Sequence, residues 1–328
     1  MGKISLIIVN FNGRSFLGDL LKSVDAQSRR PEEIILVDNA STDGSVEYIQ
    51  FNFPWVKIVS LDSNVGFAEG NNIGLTHTKY DYIGLLNSDT IIDKNCFAEM
   101  AKALDSDPKL GAVVPKIYGK EGFPTIHCTG AEFNNIGHYW GRGFKQNDHG
   151  QFDVATEVPG ITACAALVRR EALGGEALFD PDFFMYNEEF DLSLRLHCRN
   201  FPIKYLPQAI VFHKESQSVK KITDRPLLFS QFFGNRNRMK ILTKYYPLSV
   251  LVQSFPLIIL SLVYWNWIFL KENGWLFFFR AIISQAHYAF KGILERLSVQ
   301  HDNRQNWLPW MKRHHLKDLL AFKRLMTQ

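Results

Sequence analysis

Cysteine is scarce in this 328-residue chain. There are four, Cys96, Cys128, Cys164 and Cys198, and no two lie within 30 residues of each other. That spacing excludes a C-x-x-C redox motif, a cysteine-built zinc site and a disulfide-stapled fold. Buried, reduced thiols are expected instead. Several chemical signatures are also missing. There is no G-x-x-x-x-G-K-[ST], no G-x-G-x-x-G after the first apolar run, no G-x-S-x-G and no H-E-x-x-H. These absences argue against P-loop, dinucleotide, serine-hydrolase and zincin chemistry. Repeats and low-complexity tracts are absent too. The first apolar run, Leu6 to Val9, is short and meets Asn10 and Asn12 at once, so no secretory leader is expected.

What is present looks globular: 46% hydrophobic and 21% charged residues. The net charge of +4 hides an asymmetry. Residues 1–212 carry 19 basic and 27 acidic side chains, whereas 213–328 carry 18 and 6. An acidic front and a basic back suggest two jobs, with an anionic partner facing the back. Its basic residues alternate with long apolar runs instead of forming a stripe, so a membrane surface is favoured over nucleic acid.

The front half alternates strands and helices. Ile4–Val9, Glu33–Val37, Val56–Leu61 and Tyr82–Leu86 are apolar, β-branched runs of strand length. They suit a parallel sheet buried on both faces. A helix is expected over Ser15–Gln27, where Phe16, Leu17, Leu20, Leu21 and Val24 share a face. A second should be capped by Ser41 or Thr42 and run through Tyr48. A third opens from the Gly- and Asn-rich stretch 64–74. The middle, roughly 115–160, reads as loops or short strands forming one wall of a site. Lys204–Leu206 and Ala209–Phe212 read as closing strands. In such α/β sheets ligands sit at the carboxyl ends of the strands. Here those ends are Asn10-Phe11-Asn12, Asp38-Asn39 and Asn87-Ser88-Asp89.

Four places carry candidate chemistry. Asp89 ends a buried strand, where a carboxylate either holds a divalent metal through oxygen or serves a turn. Asp38 is placed to accept from a base N–H or ribose hydroxyl, or to cap its own turn. Glu188, Glu189 and Asp191 follow the aromatic stretch 183–186. Three acids beside apolar surface push a pKa upward, as a general base needs. Alternatively they are a solvated helix start. The segment's pattern suits strand by alternation and helix by composition. His213 follows an apolar strand and is a metal ligand or a hydrogen-bonded structural residue.

Further on, Tyr245 to Leu270 holds 26 residues without a charge, long enough to span a bilayer. A single span would put basic flanks on both sides, against the positive-inside tendency. A helical hairpin or interfacial helices keep both flanks on one side; a buried helical subdomain is the alternative. Trp265, Trp267, Trp275, Trp307 and Trp310 suit an interfacial position. Lys220, Lys221, Arg225, Arg236, Arg238, Lys240 and Lys244 form a basic approach to the apolar segment.

Five motifs occur in one order: Ser5-Leu6-Ile7-Ile8-Val9-Asn10-Phe11-Asn12, Val37-Asp38-Asn39-Ala40-Ser41-Thr42-Asp43-Gly44, Asn64-Val65-Gly66-Phe67-Ala68-Glu69-Gly70-Asn71-Asn72, Leu86-Asn87-Ser88-Asp89-Thr90, and 184–192 (Phe-Met-Tyr-Asn-Glu-Glu-Phe-Asp-Leu). Together they resemble the inverting family 2 nucleotide-sugar glycosyltransferases, and within them the bacterial rhamnosyltransferase-like enzymes of surface polysaccharide synthesis. The likeness covers Ile4 to about His213. It implies a GT-A fold, a Rossmann-like, mostly parallel sheet flanked by helices, followed by a C-terminal helical, membrane-associating extension. The implied division is 1–215 catalytic, with 1–115 as the nucleotide-sugar half and 116–215 as the acceptor and base half. Residues 216–328 form the extension.

By the same resemblance, Asp38 contacts the nucleotide base, with Asn10, Asn12 and Asn39 beside it. Gly66, Phe67, Asn72, Asn87 and Ser88 shape the donor site. Asp89 and His213 hold Mg²⁺ or Mn²⁺. Glu189 deprotonates the acceptor, with Glu188 or Asp191 as substitutes; Asp191 otherwise orients the acceptor or the base. The implied donor is dTDP-rhamnose or a UDP-sugar, and the implied acceptor a glycan, often lipid-linked. The location implied is cytoplasmic, on the inner face of the inner membrane. Two residues depart from the pattern: Asn87 stands where many members have Asp, and Glu189 where Asp is usual. They leave open a weak or inactive carbohydrate-binding scaffold. The Q-x-x-R-W mark of processive synthases is absent.

Overall fold

The computed structural model describes residues 1–119, 125–214, 222–296 and 306–313. The elements run β1 (Ile4–Asn10), α1 (Arg14–Asp25), β2 (Glu33–Asp38), α2 (Ser45–Asn52), β3 (Lys57–Ser60), α3 (Phe67–Thr76), β4 (Tyr82–Leu86), β5 (Thr90–Ile92), α4 (Cys96–Ser106) and β6 (Ala112–Tyr118). There follow β7 (Ile126–Cys128), β8 (Ala131–Phe133), β9 (Tyr139–Gly141), β10 (Thr156–Val158), β11 (Ala165–Arg169), α5 (Glu188–Cys198), β12 (Ile203–His213), α6 (Pro226–Tyr245) and α7 (Leu248–Glu295).

The four apolar runs become β1 to β4, paired in parallel in the order β3-β2-β1-β4. β1, β2 and β4 are buried on both faces, which is why their runs do not alternate, while β3 at the edge is half-exposed. β11 then enters antiparallel between β4 and β6, and β12 lies parallel to β6. One core cluster lies between the sheet and α1 and α4, the other under α5 and the C-terminal helices.

Three expected elements differ. The second helix starts at Ser45, after Gly44 in left-handed backbone and not after a Ser41 or Thr42 cap, and the Asp43 carboxylate accepts the Ser45 N–H at 3.1 Å. The two closing strands are one, β12, with a register shift between Leu206 and Ile210 that accommodates Pro207. Residues 188–198 are helix, resolving the strand-or-helix ambiguity.

α7 is folded back on itself. Gly274 sits at φ 77°, outside helical backbone. Asn266 donates to Gln285 at 3.0 Å, yet 19 residues of straight helix would separate them by about 28 Å. The arms 248–273 and 275–295 are therefore antiparallel, and Arg225 braces the tip through the Glu272 carbonyl and the Asn273 side chain. The hairpin expected as one alternative is what the chain forms.

The expectations for the C-terminal charges and tryptophans need correcting. Trp307 is fully buried between Phe133 and Tyr246, and Trp265 is buried within the hairpin. Trp310 packs beside His197. Only Trp267 and Trp275 of the five are exposed. Lys240 is 1% exposed and bridges Asp180, Asp182 and Glu295. Lys244 meets Asp180, Asp191 and Glu295, and Arg236 lies between the Phe233 and Tyr288 rings. These cations tie the helices together and to the sheet domain instead of facing a membrane. Lys220 and Lys221 lie outside the described residues.

Candidate active site

The carboxyl end of the sheet opens into a cleft of about 280 Å³. Its lining includes Phe67, Asn87, Ser88, Asp89, His127, Glu188, Glu189 and His213. Strand pairing explains how distant residues meet. β5 pairs antiparallel with the end of β12, setting His213 opposite Thr90. The His213 Nε2 then lies 3.1 Å from Asp89 Oδ1, and the Lys214 N–H donates to the Asp89 carbonyl. Asp89 is only 4% exposed. His127, from β7, places its Nε2 3.3 Å from His213 Nδ1. Asn87 leaves its buried side-chain oxygen without a hydrogen-bond partner in the same cleft.

The opposite wall is the start of α5. Tyr186 and Asn187 both take positive φ, 70° and 65°, a conformation non-glycine residues rarely hold in succession. This turn presents Glu188 and Glu189 to the cleft. One carboxylate oxygen of each is buried without a partner. Burial pushes both carboxyls above the ordinary glutamate range, and the Glu189 charge pushes Glu188 further.

A smaller niche of about 40 Å³ shares Val9, Phe67 and Met185 with the cleft and adds Asn39 and Gly66. Gly66 has φ 91°, and a Cβ there would collide with the Phe184 carbonyl oxygen. That same carbonyl accepts the Phe67 N–H at 2.7 Å. Asn39 ties the loop down by donating to the Gly66 carbonyl and accepting from the Val65 N–H. Beside the niche, Asn10 donates to Asp38 at 2.9 Å, while Asp38 also accepts the Ser41 N–H. Asn12 receives the Thr42 N–H on its side-chain oxygen. Asn10, Asn12 and Asp38 thus form a polar rim at the ends of β1 and β2, where Asp38 also serves its turn.

Five expected site residues line neither the cleft nor the niche: Asn10, Asn12 and Asp38, bonded to one another and to their turn as just described, and Asn72 and Asp191. Asn72 clamps Phe179, donating to its carbonyl and accepting its N–H, and does not line the cleft. Asp191 points to the other side of α5, where it meets Arg195 at 2.8 Å, Lys244 at 3.2 Å and the Tyr245 hydroxyl at 2.8 Å. Burial alone would raise its pKa, but Lys244 and Arg195 outweigh burial and hold it far below the ordinary range. Helical periodicity separates Asp191 from Glu189, which lie two residues, about 200°, apart around α5. His127, Cys164 and Tyr186 line the cleft but were not picked from the sequence. Only the polar placement of His127 between Ile126 and Cys128 hinted at it.

A buried acid pair thus faces an acid–histidine pair across a cleft at the carboxyl ends of the strands. The model of the family described as Glycosyl transferase family 2 matches residues 5–175, and the chain belongs to that family. Poly-beta-1,6-N-acetyl-D-glucosamine synthase of Staphylococcus aureus (strain COL) is 29% identical over 212 residues, 63% of this chain and 48% of that protein. The chain thus spans about half the length of the curated relatives it matches. Among solved structures, GalNAc-T7 with UDP, GalNAc and Mn²⁺ superposes at TM-score 0.58 and 16% identity, covering 76% of this chain and 49% of that one. Mannosyltransferase PcManGT from Pyrobaculum calidifontis, in complex with GDP-Man and Mn²⁺, superposes at 0.52 and 14%, covering 99% and 82%. The fold is GT-A, as the motif order implied. None of these three proteins is a rhamnosyltransferase.

Proposed function

We propose that this chain is a metal-dependent, inverting glycosyltransferase. It moves a sugar from a nucleoside-diphosphate donor to a glycan acceptor in surface polysaccharide synthesis. One observation carries this: Asp89, His213 and the partnerless Asn87 oxygen face two partly unpaired glutamates in one cleft.

Asp89, His213 and the Asn87 oxygen fit a divalent cation, Mg²⁺ or Mn²⁺. Oxygen donors with one imidazole suit such ions. Among the described residues no three His, Cys, Asp or Glu side chains form a complete cage. Bound there, the cation supplies positive charge to the departing diphosphate.

The chain's own residues do the rest. The Asn10–Asp38 rim and Asn39 hold the nucleotide, and Gly66 lets backbone approach the donor. Glu189 takes the acceptor hydroxyl's proton as that oxygen attacks the anomeric carbon. The bond to the diphosphate breaks on the opposite face, so the configuration inverts. Burial raises both glutamates, and the Glu189 charge adds to the rise at Glu188.

The relatives' and neighbours' donors differ among themselves, so dTDP-rhamnose and UDP-sugars remain the donors to assay. The apolar hairpin supports contact with a membrane surface on the cytoplasmic side, where a lipid-linked acceptor would be met. α7 is the one helix among the described residues long and apolar enough to cross a membrane. Its first arm, however, spends Ser254 on Asn135 and Ser261 on Arg238. Its outward residues Val252, Phe255, Val263 and Trp267 are exposed. An arm held on one side and bare on the other suits lying at an interface. The test is a thermal-shift panel with UDP, dTDP and GDP, each with and without Mn²⁺. Stabilisation by one nucleotide that needs Mn²⁺, and that is lost in Asp89→Asn, supports the reading. A cooperative melt unmoved by all three refutes it.

A further inference from the structure

A second cavity, also about 280 Å³, lies between the β8–β9 hairpin, the turn before α5, α6 and the first arm of α7. Tyr186 lines both it and the catalytic cleft. Among the described residues no carboxylate lines it. Arg238 does, at 2% exposure. Its Nη1 donates to the Ser261 hydroxyl at 3.0 Å and more weakly to the Ile136 carbonyl at 3.4 Å. Its Nε and Nη2 are buried with no acceptor. Burial lowers its pKa to about 10, so it stays charged at neutral pH.

Its neighbours on α6 show what this protein does with a structural cation. Lys240 and Lys244 each meet several carboxylates. Arg238 meets none among the described residues, and a buried, uncompensated charge is costly. A second donor in the same lining is short of an acceptor. Asn134 accepts the N–H groups of Ile136 and His138 on its side-chain oxygen, which fixes the amide's orientation. Its Nδ2 is then left buried and without a partner.

We infer that this cavity is an anion-binding acceptor subsite, which takes the phosphate of a phosphate-bearing acceptor against Arg238 and Asn134. It rests on the glycosyltransferase reading, since Tyr186 is where the bound acceptor would pass toward Glu189. The aromatic lining, Tyr139, Trp140 and Trp265, suits the apolar faces of sugar rings beside that phosphate. The phosphate has two possible sources, a lipid headgroup or a soluble phosphorylated glycan.

The test uses the full chain with EDTA present, so that no metal draws diphosphate into the cleft. Inorganic diphosphate and farnesyl diphosphate are titrated by calorimetry against wild type, Arg238→Met and Arg238→Lys. Saturable binding that weakens at least tenfold in Arg238→Met and is largely kept in Arg238→Lys is expected. The ligand-free melting temperature of Arg238→Met should equal or exceed wild type, because an uncompensated charge has gone. Tighter binding of farnesyl diphosphate names the lipid source, and equal binding the soluble one. Should Arg238→Met not fold, Asn134→Asp, which sets a carboxylate beside the guanidinium, is expected to abolish binding. No binding by wild type, or binding unchanged in the variants, overturns the inference. UDP with Mn²⁺ is titrated on the same variants after the EDTA is dialysed away. Its failure beside Arg238-dependent diphosphate binding would sink the glycosyltransferase reading and leave the anion site standing.

Discussion

The two large cavities have equal volume and share the Tyr186 wall, yet they are built with opposite charge. One holds Asp89, Glu188 and Glu189. The other holds Arg238 and, among the described residues, no carboxylate. In both, buried polar atoms stand without partners: the Glu188, Glu189 and Asn87 oxygens on one side, the Arg238 and Asn134 nitrogens on the other. A few residues away the same residue types are fully paired. Asp191 has Arg195, Lys244 and Tyr245, and Lys240 has three carboxylates. Burial is common to all of these groups. Pairing and placement together separate them: Arg236 Nη2 and Trp307 Nε1 are also unpaired, but neither residue lines a cavity.

That contrast can be broken by substitution. The largest expected effect is at Glu189. Glu189→Gln should cut turnover about 1000-fold, within the usual range for a general base, and leave Mn²⁺-dependent nucleotide binding intact. Turnover that stays within a few-fold of wild type would remove the acid pair from the chemistry. Next comes its paired neighbour. Asp191→Asn strands Arg195 and Lys244 and should cost about 3–5 kcal/mol of stability, read by denaturant melts, as breaking a buried pair does. A loss under 1 kcal/mol would erase the distinction between paired and open acids.

A subtler test is the sign of pH dependence. Glu188 is raised in the fold, so its contribution is full below the ordinary glutamate range and is lost as pH climbs through the raised value. Asp191 is lowered, so its contribution is present above the ordinary aspartate range and is lost as pH falls. Melting of Glu188→Gln should therefore exceed wild type at pH 8 and converge with it near pH 4. The Asp191→Asn deficit should be largest at neutral pH and shrink in acid. Parallel profiles would contradict the geometry. The smallest effect on the enzyme itself is expected at the hairpin tip. Trp275→Ser with Leu276→Ser should abolish flotation with anionic vesicles while turnover on a water-soluble acceptor stays within about twofold, as for surface changes. Unchanged flotation would detach the second cavity from any lipid surface.

The legibility of this chain in its sequence follows the range of the interactions. β1, β2 and β4 are readable because a strand buried on both faces needs an unbroken apolar run. Asp89, Glu188 and Glu189 were readable as motif residues, and the cleft does gather them. Asp191 was not separable from Glu188 and Glu189, because its fate depends on Lys244 and Tyr245, more than fifty residues away. Lys240 and Lys244 looked like a surface approach for the same reason, since sequence shows a charge but not its distant partner. Trp307 looked interfacial, yet Phe133 and Tyr246 enclose it. Asn72 sat in a donor motif, but its role is to pin Phe179.

The pairing of β5 with β12 has a consequence for synthesis of the chain. Asp89 emerges from the ribosome early, and His213 follows 124 residues later. Only when β12 docks does the imidazole reach the carboxylate. A nascent chain can pair β1 with β2 and join Asn10 to Asp38 while Asp89 still waits for its imidazole. The two walls of the cleft thus come together only at the last strand of the sheet.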